Sequence, residues 1–270
     1  MGNVVGSSAA TRTRAWVDLG RGERAFVRGD LGTALAAALR SRVGGLDSEA
    51  DSLVRRVRGR VEDELPPFPT DDLVTAMEPV DGWFTAGEAG LLARAAAVAA
   101  RTSDPLVEVG SYCGRSTVVL ALVVARVAPT SSYHRVTAID PHQGYGPAGG
   151  KDTFAELVAT LRGNGVEDVV DIVRARSVDV ALPRRVALAF LDGLHDEDSV
   201  RADVAHVTPH LQEGGLLAFH DYRFDYPGVV VAANAVLCSG EFAVLGLVDS
   251  LLVLRRSPEQ AVGYPSGPDL

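Results

Sequence analysis

Cysteine is nearly missing: Cys113 and Cys238 are the only two in 270 residues. Two cysteines so far apart form neither a disulfide framework nor a zinc pattern, and a reducing cytoplasm is the expected compartment. Lysine is scarcer still, with Lys151 alone among 26 basic residues. The net charge of −9 leaves no basic field to recruit nucleic acid, and none is expected as a partner. Long apolar runs are lacking too. The longest, Val118 to Ala125, is stopped by Arg126. It is too short to span a bilayer, so no membrane partner is expected. Met1 to Trp16 lacks the apolar core of a secretory signal, and Gly6 stands where a myristoylation signal wants Ser or Thr. There is no internal repeat.

What is present is a chain that is 47% apolar, enough for one large α/β domain plus an extension. It is organised around Leu106-Val107-Glu108-Val109-Gly110-Ser111-Tyr112-Cys113-Gly114-Arg115-Ser116. A short apolar strand with an acidic residue near its end runs through a glycine-spaced turn into a helix from Ser116 to Ala128. Such a strand–turn–helix unit is where an α/β sheet binds a nucleotide-like ligand. Gly110 permits unusual backbone torsions, and Gly114 is expected to let the chain approach a ligand closely. The spacing is Glu-x-Gly-x-x-x-Gly. A pyrophosphate calls for bare amides at the helix start, whereas an acidic residue beside the turn suits a cation or sugar hydroxyls.

Residues 1 to about 30 show no clear periodicity and read as a partly disordered segment or an arm. Leu31 to Val43 and Asp47 to Leu65 read as helices, the second with a narrow stripe of Leu53, Val57, Val61 and Leu65 for docking on one partner. A solvated extension, a substrate lid and an arm that builds a homo-oligomer are the uses open to them. Thr85 and Glu88 form a capping box for a helix reaching about Arg101, and Trp83 and Phe84 either pack on the sheet edge, the favoured reading, or line a pocket. Strands at 106–109, 135–140, 169–173, 186–191 and 216–219 alternate with helices. A hairpin, 242–248 with 251–254, closes the chain around Asp249-Ser250. This is an α/β, Rossmann-like, mostly parallel sheet ending in an antiparallel hairpin, with a helical extension at its N-terminus. The expected divisions are 1–72 for the arm and extension, 73–256 for the main domain and 257–270 for a loose tail.

Glu108, Asp140, Asp192 and Asp221 all fall at C-terminal strand ends, the edge where open parallel sheets bind ligands. Asp140, thirty residues after Gly110, can take both hydroxyls of a ribose, in NAD or in S-adenosylmethionine. The glycine spacing and the closing hairpin favour the latter. Ser177 lies on the same edge and either meets an adenine or caps a turn. If their strands are neighbours, Asp192 and Asp221 converge. With His220 as third ligand they would hold a divalent cation, Mg²⁺ or Mn²⁺. His195 follows Asp192 closely enough to share the cleft.

From about Pro79 to Arg256 the chain resembles the class I S-adenosylmethionine-dependent methyltransferases, and within them the metal-dependent branch of macrocin-type and other sugar O-methyltransferases. The resemblance rests on Glu108 to Gly114, Ile139-Asp140, Asp192 to His195 and Gly214 to Asp221. It implies a seven-stranded sheet with one strand of the last pair reversed. It implies cofactor binding by Glu108, Gly110, Ser111 and Asp140, with Tyr112 and Gly114 in the same turn. It also implies a metal on Asp192 and Asp221 and His195 as base. Where some members have an acidic residue before the second metal Asp, this chain has His220. The expected activity is methyl transfer to a hydroxyl of a small-molecule acceptor, a sugar or a glycosylated natural product. A catechol or other vicinal diol, a non-catalytic cofactor-binding partner protein and an NAD-dependent dehydrogenase are the competing readings.

Overall fold

A computed structural model describes residues 9–43, 45–60, 65–128, 136–144 and 150–257. Arg135 of the second expected strand, part of the loop before Lys151 and the tail from residue 258 lie outside them.

Seven strands form one sheet in the order β3-β2-β1-β4-β5-β7-β6. They are β1 (Leu106–Val109), β2 (Val136–Ile139), β3 (Val170–Val173), β4 (Val186–Leu191), β5 (Leu211–Phe219), β6 (Phe242–Val248) and β7 (Leu251–Arg256). The first five pair parallel, and β7 runs antiparallel to both β5 and β6. The seven-stranded sheet with its reversed strand is therefore as expected. β5 starts at Leu211, earlier than expected, and its pairing with β4 shifts register between Val186 and Leu188.

The strands alternate faces with period two. Leu106, Leu188, Phe190, Ala218 and Val253 pack into one apolar layer. Val107, Ala189, Leu191, Leu217 and Leu252 pack into the other. The first layer is covered by α4 (Asp71–Met77), α5 (Ala86–Ala99), α6 (Arg115–Val127) and α7 (Phe154–Gly163). The second holds α8 (Glu197–Val207), α9 (Pro227–Cys238) and the N-terminal helices α1 (Ala9–Arg28), α2 (Leu31–Val43) and α3 (Asp47–Arg60). The β1–β4 neighbourhood is where the strand order reverses, which opens a crevice at the C-terminal strand ends.

The N-terminal region departs from expectation. Residues 9–28 form a 20-residue helix, which accounts for the described part of the presumed arm. Its buried apolar side chains are Ala15, Leu19 and Ala25, and only Leu19 is large. A Cβ on Gly22 would stand 2.8 Å from Leu53 Cδ2, so α1 and α3 approach closely. Small residues set among arginines hide the helical period from a search for large apolar side chains. Helix α4 was not foreseen and runs across residues 72 and 73.

Candidate active site

At the C-terminal edge of the sheet a cavity of about 1020 Å³ gathers side chains from five strand ends and from the start of α5. The β1–α6 turn contributes Gly110, Ser111 and Tyr112, β2 contributes Asp140, and Ser177 follows β3. Asp192 and His195 follow β4, and His220 and Asp221 follow β5. A cavity this size is at the upper end for one small ligand and leaves room for two.

The turn is built by close backbone contact. Gly110 has φ of 91°, and a Cβ there would lie 2.0 Å from the carbonyl oxygen of Asp192. Only glycine lets the ends of β1 and β4 meet at this point. Tyr112 and Asp221 also take left-handed torsions, with φ of 45° and 54°. Non-glycine residues held this way cluster at functional sites. The Asp140 carboxylate accepts from the backbone N–H of Tyr112 at 2.8 Å and from that of His142 at 2.6 Å, which ties the first turn to the end of β2. Ser111 Oγ is buried at the cavity wall without a protein partner. Ser177 gives its hydroxyl to Asp203 and reaches the same wall.

Two expected cofactor residues stand elsewhere. Glu108 shares the parity of Leu106 and points to the helix side of β1, where it accepts from Ser116 Oγ and Thr117 Oγ1, each at 2.6 Å. It is fully buried away from the cavity wall, and burial pushes its carboxyl up to about 8 against those two hydrogen bonds. Gly114 caps the start of α6. Its missing Cβ makes room for Leu157 Cδ1, at 2.7 Å, so the close approach is to α7 and not to a ligand.

The acidic half of the cavity is held together by His220. Its Nδ1–H donates to Asp192 Oδ1 at 3.0 Å and lies 3.4 Å from Asp221 Oδ2. Its Nε2–H faces Glu88 Oε2 at 3.2 Å. A neutral imidazole has one N–H, and carboxylates on both nitrogens call for two. Burial alone would lower the His220 pKa; Asp192, Asp221 and Glu88 outweigh it and push it up to about 12. His220 is thus a buried cation and not the third metal ligand expected from the sequence. The three side chains whose ligand atoms lie within 4.8 Å of one another are Asp192, His195 and Asp221. His195 Nε2 is 3.2 Å from Asp221 Oδ2, and its ring packs on Tyr226 with centroids 4.5 Å apart. Burial would raise the Asp221 carboxyl, yet hydrogen bonds from His195 and His220 hold it well below the usual range.

Glu88 does more than cap a helix. The capping box forms as expected. The same carboxylate also accepts from Ser250 N at 3.0 Å and Ser250 Oγ at 2.6 Å, and it faces His220. Burial works to raise its pKa, and the bonds from His220 and Ser250 bring it down to about 2. The local capping motif explained Glu88 fully in sequence terms and so masked its second role. Trp83 and Phe84 part company: Phe84 is buried against Phe190 and His220, whereas Trp83 is 70% exposed at the cavity wall beside Tyr112.

Among the described residues no helix is long and apolar enough to cross a membrane. Residues 107–222 match the model of a family described as a methyltransferase domain. Among solved structures the chain is similar to CalS11, a calicheamicin methyltransferase, at 20% identity over 77% of this chain and 93% of that one, with a TM-score of 0.51. The apo form of the same enzyme, described as a TDP-rhamnose 3'-O-methyltransferase of calicheamicin biosynthesis, matches at 19% identity over 77% and 94%, with a TM-score of 0.50. A protein of Corynebacterium glutamicum matches at 17% identity over 77% and 99%, with a TM-score of 0.51. The sheet order and the reversed β7 are those of a Rossmann-like methyltransferase fold, and within it residues 107–222 match the methyltransferase-domain model.

Proposed function

We propose that the chain transfers a methyl group from S-adenosylmethionine to a hydroxyl of a small molecule in the cytoplasm, and that the acceptor is a sugar or a glycosylated natural product. The observation that carries this reading is one cavity with two unlike halves. One half offers the Gly110–Tyr112 turn, the unpartnered Ser111 hydroxyl and Asp140; the other offers Asp192, His195 and Asp221. The first half fits the cofactor's polar groups: Asp140 keeps lone pairs for ribose hydroxyls, and Ser111 is a buried donor in need of an acceptor. S-adenosylmethionine, when bound, supplies an electrophilic methyl on a sulfonium.

In the second half His195 is the base. Asp221 Oδ2, 3.2 Å from Nε2, favours the proton on that nitrogen and leaves Nδ1 to take the acceptor proton. Tyr226 packs on the ring and limits its rotation. The buried His220 cation holds Asp192 and Asp221 in place from behind. The cavity walls bring donor and acceptor together, worth up to roughly 7–11 kcal/mol in favourable intramolecular models.

A second reading is favoured by the proximity of Asp192, His195 and Asp221. Two carboxylates and one imidazole suit Mg²⁺ or Mn²⁺. A divalent metal there would lower the pKa of a bound acceptor hydroxyl, and His195, as its ligand, would not be the base. Chelation separates the two. Full activity after exhaustive EDTA treatment leaves His195 as base, whereas loss restored by Mg²⁺ or Mn²⁺ favours the metal.

The primary test is calorimetry with S-adenosylmethionine, followed by mass spectrometry of a panel of sugars, glycosides and catechols for a gain of one methyl. Absence of cofactor binding sinks the proposal. Binding with no transfer to any acceptor points to a partner protein, and nicotinamide binding points to a dehydrogenase.

A further inference from the structure

We propose that Arg115 is a positioning residue for the cavity: from the end of the cofactor turn it holds residues 78–84 as a wall that spans both halves. The proposal deepens the methyltransferase reading above and rests on it. Asp81, Gly82, Trp83 and Phe84 all line the cavity. Between Met77, which ends α4, and Phe84 no side chain is buried. The stretch forms no helix or strand, and Trp83 is 70% exposed. A segment with so little buried apolar surface opens locally unless something else fixes it.

Arg115 supplies the hold. Its Nη1 donates to the carbonyl oxygens of Met77 at 3.3 Å, Glu78 at 3.0 Å and Val80 at 2.6 Å, and its Nε to that of Phe84 at 2.8 Å. A Cβ on Gly82 would stand 3.2 Å from Arg115 Cδ, so the segment wraps closely around the side chain. Capping α4 would need only the Met77 and Glu78 carbonyls. The bonds to Val80 and Phe84 lie beyond the helix, along the cavity wall. The wall in turn meets both halves. Tyr112 Oη donates to Asp81 Oδ2 at 3.1 Å, and the Trp83 and Tyr112 rings lie 5.6 Å apart, which sets one end on the cofactor turn. Phe84 packs 5.4 Å from the His220 ring and 5.9 Å from Phe190, which sets the other end on the acceptor half. Arg115 directly follows Gly114, so one side chain couples the turn to the wall.

The test reads Trp83 and the cofactor together. The chain has two tryptophans, so Trp16→Phe, on α1, leaves Trp83 as the single reporter. In that background Arg115→Ala is expected to lower the fluorescence anisotropy of Trp83 without any ligand. By calorimetry it should bind S-adenosylmethionine about tenfold more weakly. Arg115→Lys should fall between, because a single nitrogen cannot span carbonyls from Met77 to Phe84. Arg126→Ala is the control. Arg126 ties α6 to Asp72 at the other end of α4, so its loss loosens the same pair of helices and should leave affinity within about twofold and anisotropy unchanged. Gly82→Ala presses on Arg115 without removing its guanidinium, at a φ of 146° that disfavours a side chain. It should reproduce the weaker binding and serves where Arg115→Ala does not fold. Unchanged anisotropy or wild-type affinity in folded Arg115→Ala, or an equal loss in Arg126→Ala, would each overturn the proposal. A wild type that binds no S-adenosylmethionine removes the methyltransferase reading, whereas the anisotropy series still decides whether Arg115 holds the wall.

Discussion

Asp140 illustrates how one side chain serves both structure and ligand. Its carboxylate accepts two backbone N–H bonds, from Tyr112 and His142, and still faces the cavity. Asp140→Ala is expected to weaken S-adenosylmethionine by about 1.5–3 kcal/mol, the worth of a charge-assisted hydrogen bond. Asp140→Asn keeps an acceptor for only one of those two N–H groups; calorimetry showing wild-type affinity for both variants removes Asp140 from the site. His195→Ala is expected to lower turnover by about 10²–10⁴ with cofactor affinity kept. The acidic limb of the rate profile should vanish, since it reports a base that must be unprotonated. A retained limb at near-normal turnover would remove His195 as base. That Asp140, Asp192 and Asp221 share one edge was legible because each follows an apolar strand closely, and the place of His195 because it comes three residues after Asp192. His220 was misread, since its nearest carboxylate neighbours come from α5 and β4, distant in sequence.

At the scale of elements, the start of α9 sets the loop that carries His195. A Cβ on Gly228 would lie 2.3 Å from the His195 carbonyl oxygen and 2.5 Å from Glu197 N. Tyr226, just before α9, packs on the His195 ring. Gly228→Ala should therefore push the loop away. A misplacement of about 1 Å can cost up to about 10²-fold in rate, so turnover should fall by at least about tenfold while cofactor affinity stays constant. Unchanged turnover would show that the loop accommodates the methyl without moving His195. Helix and strand positions were legible from the alternation of apolar runs and glycine turns, and the hairpin at Asp249-Ser250 from its two flanking strands. The described part of α1 was not, because its packing relies on Ala15, Gly22 and Ala25, and small side chains contribute little to an apolar pattern. Nor could the sequence give the tie from the β6–β7 hairpin back to α5, which runs through Ser250 to Glu88.

Across the whole molecule, Glu108 makes stability depend on pH in a direction opposite to most carboxylates. It is buried in the layer between β1 and α6, with Ser116 and Thr117 as its partners. Burial pushes its pKa from the ordinary 4.5 up to about 8. Between those values the folded chain holds a proton that the unfolded chain has released. Stability from this group is therefore full below the unfolded value and is lost as pH rises through the folded one. The slope approaches about 1.4 kcal/mol per pH unit for one proton. Glu88 acts in the other sense: its folded pKa of about 2 contributes stability above 4.5 that is lost as pH falls toward 2. The two windows do not overlap, but His220, raised from 6.5, also holds a proton in the folded chain above that pH, so Glu108 is isolated only by comparing variant with wild type from pH 5 to 8. Glu108→Gln keeps the size and offers an acceptor to one hydroxyl without a proton to release. The variant is expected to show a shallower decline in midpoint than wild type between pH 5 and 8 and to match or exceed wild type at pH 8. Parallel curves for variant and wild type across that range would mean that Glu108 is ionised in the folded chain and that its two hydroxyl donors outweigh its burial.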